Sequence, residues 1–108
     1  MAIDWTKVGT QLESSVGGVV GTAWKNAAAG ASAQFKAIVT VGQNIEQQKD
    51  SLTQVEYNSL RLMQQRALEG VLQTYQGISL DVAEQAAAAA WNVVATALKT
   101  AYPALGFL

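Results

Sequence analysis

The chain has a single proline, Pro103, almost at its end, so nothing before it forbids long uninterrupted helix. Strand-like alternation is scarce. The one short β-branched run, Ala37-Ile38-Val39-Thr40-Val41, lies inside a three- and four-residue apolar repeat, and the sequence is therefore read as all-α. The strongest repeat comprises Leu80, Ala83, Ala87, Trp91, Val94, Leu98 and Ala101. A helix is predicted from near Ser79 or Asp81 to around Tyr102, because the residue before a proline avoids the helical region.

Three earlier segments carry weaker stripes. The first starts from Asp4 as an N-cap and runs through Trp5, Val8, Leu12, Val16, Val19 and Ala23. The second places Phe35, Ile38, Gly42 and Ile45 on one face and fades in the polar run QNIEQQKDS. A break between the two at Gly30, acting as a C-terminal cap with Ser32 starting the next helix, is favoured over one long helix passing through AAAGASA. The third opens on Thr53 and Glu56, the spacing of a capping box in which each side chain reaches the other's amide. Its stripe is read as Leu52, Val55, Leu60, Met63, Ala67, Val71 and Tyr75, closing at Gly77. Three or four helices with short connections imply a small bundle of antiparallel helices, built as helical hairpins. One helical domain is expected over residues 1–102, followed by an apolar tail at 103–108 that docks.

Composition enters through what it excludes. There is no Cys and no His, which removes thiolate nucleophiles, disulfides, the commonest zinc ligands and imidazole acid-base chemistry. Asp4, Glu56, Asp81 and Glu84 lie where helix N-termini favour negative charge. Glu46 and Asp50 share a helical face, but two carboxylates in a polar run read as a solvated surface rather than a metal pair. Ser14, Ser15 and Ser51 have no His and no Ser-x-x-Lys pairing, and VGGVVG lacks the Gly-Lys-Ser/Thr ending of a phosphate loop. No enzyme, cofactor or metal is expected. Seven Lys and Arg against eight Asp and Glu give a net charge of −1, with the cations scattered, so nucleic acid is not an expected partner.

The features that remain concern association. Charged residues make up 14% of the chain and apolar ones 50%, against about 25% charged in a typical domain. Electrostatic repulsion between copies is correspondingly weak. Gly9, Gly17, Gly18 and Gly21 fall in the first segment, each costing a helix about 0.5–1 kcal/mol relative to Ala. Gly17 and Gly21, four apart, are read as a small-x-x-x-small surface where another backbone comes close, and Ala86 to Ala90 offer the same. Trp91 is assigned to the core, whereas Trp5 and Trp24 are divided between core and interface. Leu105, Phe107 and Leu108 of the tail are expected to pack on a neighbouring subunit or partner.

The candidate interface is thus Trp5, Gly17, Gly21, Trp24, Leu105, Phe107 and Leu108, and the partner is another copy of the chain or another protein. The favoured expectation is a non-enzymatic structural subunit that self-associates through Ala/Gly-rich faces into a homo-oligomer, as virion, tail or injection-apparatus components do. The alternatives are a helical binding module that masks a partner protein and, third, a membrane-active helical protein. Membrane contact is the less favoured reading. SVGGVVGTAWKNAAAGASAQFKAIVTV has no strongly basic face, and no run of about 18 uninterrupted apolar residues exists. MAIDWTKVGTQLE lacks a basic region followed by an apolar run. Cytoplasmic synthesis without a signal peptide, followed by incorporation into a particle, is the expectation.

Overall fold

A computed structural model describes residues 2–107. Four α-helices account for most of the chain: α1 (Trp5–Val20), α2 (Trp24–Gln47), α3 (Gln54–Leu72) and α4 (Leu80–Ala101). A three-residue 3₁₀ turn, Gly21–Ala23, joins the first two. Each start is chemically marked. Asp4 accepts from the Lys7 amide at 3.2 Å, and Ser79 Oγ accepts from the Val82 amide at 3.2 Å. Both halves of the Thr53–Glu56 capping box form, at 2.9 and 3.1 Å, so the orphan amides of those first turns are satisfied. Helix α4 ends at Tyr102, ahead of Pro103.

The chain does not break at Gly30. Helix α2 passes through it without interruption, and the break lies at Gly21, whose φ of +77° is a conformation that glycine alone adopts cheaply. Gly30 has a different use: the Tyr75 hydroxyl occupies the place a Cβ would take there. Similarly, α3 closes at Leu72 and not at Gly77, which sits at φ +90° in the turn leading to α4.

The helices form a ring in which α1 packs on α2 and α4, and α3 packs on the same two. Helices α1 and α3 therefore occupy opposite corners. At 24 residues α2 is about 36 Å long, which sets the longest dimension of the 41 × 25 × 18 Å molecule. The accessible area of 6085 Å² is near the ~5,800 Å² a compact monomer of this mass exposes.

The core tapers. At the end holding the Gly21 turn it is built of Ala27, Ala31, Ala83, Ala86, Ala87 and Ala90, filled by Val16, Leu68 and Leu72. Towards the other end stand Trp5, Ile38, Ile45, Tyr57, Trp91 and Leu98. The alanines that suggested an external face are therefore largely spent inside the chain, where small side chains let helices approach closely. The stripes of α1 and α2 are buried as expected, but that of α3 is turned. Its buried residues are Tyr57, Leu68 and Leu72, whereas Val55 and Met63 are 76% and 62% exposed. Leu80, the first residue of α4, is also exposed rather than part of that helix's buried stripe.

The glycines of α1 and α2 differ in what surrounds them. A Cβ on Gly42 would stand 2.5 Å from the Trp5 ring, whereas one on Gly18 would meet nothing within 4 Å. Gly42→Ala is therefore expected to lower stability by about 1–3 kcal/mol through overpacking. Gly18→Ala should raise it by roughly 0.5–1 kcal/mol through helix propensity. Urea unfolding midpoints of the two variants measure the contrast.

Candidate functional site

Most polar side chains of this chain are at the surface, and none is fully buried among the described residues. One polar cluster is nevertheless well organised. Near the end of α2, the half-buried Glu46 carboxylate accepts three hydrogen bonds: the Trp5 indole N–H at 2.8 Å, the Ile3 amide at 3.2 Å and the Tyr102 hydroxyl at 2.5 Å. These donors come from the start of α1 and the end of α4, so a single carboxylate joins three chain segments. Lys49 completes the group, its ammonium 4.8 Å from the centroid of the Tyr102 ring.

Burial pushes the Glu46 carboxyl upward. The hydrogen bonds from Tyr102, Trp5 and Ile3, with the charge of Lys49, outweigh that and hold it below the ordinary glutamate range. The same bond pushes the Tyr102 hydroxyl up, because losing its proton would place two anions together. All three donors are directed at the carboxylate, so the cluster acts as a joint between the segments that supply them. Asp50, which shares the helical face in the sequence, does not join it. Among the described residues no three His, Cys, Asp or Glu side chains gather to hold a metal.

The residues singled out for association are placed as follows. Trp5 is buried, its ring over Gly42 and its N–H on Glu46. Gly17 faces the Trp24 indole, with a Cβ position 2.9 Å from its Cδ1, and Trp24 packs in turn on Phe35 at a 5.7 Å centroid distance. Gly21 forms the turn. Within the chain, then, Gly17 and Gly21 do not mark the approach of a second backbone: one receives an aromatic ring and the other supplies a left-handed residue. Phe107 is buried with its ring 4.9 Å from that of Tyr57, and Leu105 packs half-buried beside the same core. The tail thus folds onto its own bundle through Phe107 and Leu105. Leu108 lies outside the described residues.

Two features escaped sequence reasoning. Glu46 gathers partners 41 to 56 residues away, and no local spacing announces that. Tyr57 accepts from the buried Trp91 indole at 2.8 Å; the available signal was that a buried Trp N–H needs an acceptor.

Beside a smaller groove of about 530 Å³ between α1 and α2, two surface features stand out once the core has closed. One is a groove of about 780 Å³ between α1 and α4, lined largely by small side chains including Ser14, Ser15, Ala89, Ala97 and Ala101, with Lys7 and Asp4 at one end. The other is the outer face of α3, where Val55, Leu62 and Met63 are exposed. No helix among the described residues is long and apolar enough to cross a membrane. Comparison of the chain with protein-family models, with curated proteins and with solved structures found no match.

Because the folded carboxyl of Glu46 is depressed, its contribution is complete above the unfolded glutamate value of about 4.3. It is lost as the pH falls through the lower folded value. Glu46→Gln should cost about 1–2 kcal/mol at neutral pH and flatten the acid decline of the thermal midpoint below about pH 4. Calorimetry across that range measures both. Phe107→Ala should destabilise the dilute single chain by about 2–4 kcal/mol, an effect that chemical denaturation detects independently of any association.

Proposed function

We propose that the chain is a non-enzymatic assembly subunit, a small helical bundle that works by associating with further copies of itself. The observation that carries the reading is the α3 surface: Val55, Met63 and Leu62 stay 76%, 62% and 37% exposed after the core is complete. Apolar side chains scattered singly would need no explanation, but three within nine residues of one helix do. Low charge supports the same reading, since a net charge of −1 leaves little to hold copies apart. Phe107, docked against Tyr57, closes the bundle into a compact unit suited to repetition.

A second reading, a binding module that masks a different protein, is favoured by the groove between α1 and α4. Its small side chains leave a trough into which a partner helix fits.

Native mass spectrometry over a concentration series distinguishes the two. An assembly subunit gives a defined multiple of the 11.4 kDa chain that grows with concentration. A chain that stays single at every concentration removes the first reading and leaves the second.

A further inference from the structure

Helix α3 is laid out against its own surroundings. Beside the buried Tyr57, Leu68 and Leu72, the side turned to the bundle carries Gln64, Gln65 and Arg61, all half-buried, with Arg61 Nη1 donating to Gln65 Oε1 at 3.1 Å and Gln34 donating to Gln64 at 3.5 Å. The side turned away carries Val55, Leu62 and Met63. Where local pattern and environment disagree in this way, a functional surface is the usual reason. Val55, Ser59, Leu62 and Arg66 follow one another at steps of four, three and four residues, so they form one row along the helix, with Met63 on its shoulder. The row lies on the corner of the bundle opposite α1.

We propose that this row is a twofold contact between two copies of the chain, in which the α3 helices pair antiparallel about Ser59. The proposal rests on the assembly reading above and specifies its partner and its symmetry. Ser59 stands four residues from both Val55 and Met63, so a twofold at that point sets Val55 of each copy against Met63 of the other. The small serine at the crossing lets the two helices approach to the 8–10 Å at which helices pack.

Charge selects the direction. Glu56 is exposed on the N-terminal side of the row, with Asp50 and the half-buried Lys49 in the turn before it, and Arg66 is exposed on the C-terminal side, one step ahead of the half-buried Glu69. An antiparallel pair brings Arg66 of each copy to the acidic end of the other, at both edges of the apolar centre. A parallel pair would set Arg66 on Arg66 and Glu56 on Glu56. One patch meeting itself is an isologous contact, which closes as a dimer, so any larger assembly is built from pairs.

The chain contains no cysteine, so Ser59→Cys introduces a single thiol that meets its own copy only at such a twofold. Under mild oxidation this variant should run as a covalent pair, twice the 11.4 kDa chain mass, whereas Glu84→Cys on the exposed side of α4 should not. Val55→Asp combined with Met63→Asp should weaken pairing at least about tenfold in sedimentation equilibrium. The helical circular dichroism should remain unchanged, because both positions face solvent. Arg66→Glu should weaken it as well, more at low salt than at high.

If the wild type associates but Ser59→Cys fails to cross-link, or cross-links no better than Glu84→Cys, the contact lies elsewhere and this proposal falls while the assembly reading stands. Unchanged association of the Val55/Met63 variant has the same meaning. A wild type that remains single at every concentration overturns both.

Discussion

The architecture depends on one carboxylate. Glu46 stands where α2 ends, and the three donors it receives belong to the start of α1 and the end of α4. Short turns already tie α1 to α2 and α3 to α4 through the chain, but the first and last helices have no covalent connection to each other. The Trp5 indole and the Tyr102 hydroxyl link them non-covalently, through hydrogen bonds to Glu46. A charged acceptor makes such bonds roughly twice as strong as neutral ones, and partial burial reduces competition from water. The aromatic rings that carry these polar groups are also the large bodies that fill this end of the bundle, so hydrogen bonding and packing place the same side chains.

Along the bundle, three glycines act as sockets. The Trp5 ring lies on Gly42, the Trp24 indole on Gly17 and the Tyr75 hydroxyl on Gly30. In each case an absent Cβ makes room for an aromatic group from another part of the chain. The buried alanines of α2 and α4 do the same for whole helices. The helix propensity lost at the glycines is offset by the aromatic area buried against them. This explains how a chain with so few large residues closes a core at all.

Helix α3 is the exception. Its inner side is partly glutamine and its outer side partly aliphatic, so spacing alone points its burial stripe the wrong way. Val55, Leu60, Met63 and Ala67 look like a stripe because apolar residues recur near helical spacing, although the step from Val55 to Leu60 is five residues. The helix is instead oriented by Tyr57, which holds the Trp91 indole and receives Phe107, and by Leu68 and Leu72, which fill the Ala-lined end. Those contacts come from α4 and the tail, and a periodicity confined to α3 carries no record of them. The same orientation leaves the apolar row on the surface.

The sequence by itself determined the all-helical class, the starts at Asp4 and Thr53, the last start to within two residues of Ser79, the end before Pro103 and the inner faces of α1, α2 and most of α4. All of these are local consequences of capping chemistry, proline geometry and apolar period. Tertiary structure alone decided where the first hairpin turns, what each glycine is for, which way α3 faces and that Glu46 is a joint. It also put Phe107 in the core. Each of those outcomes depends on groups brought together from distant parts of the chain, such as a ring over a glycine or three donors on one carboxylate, and that proximity exists only once the helices have packed.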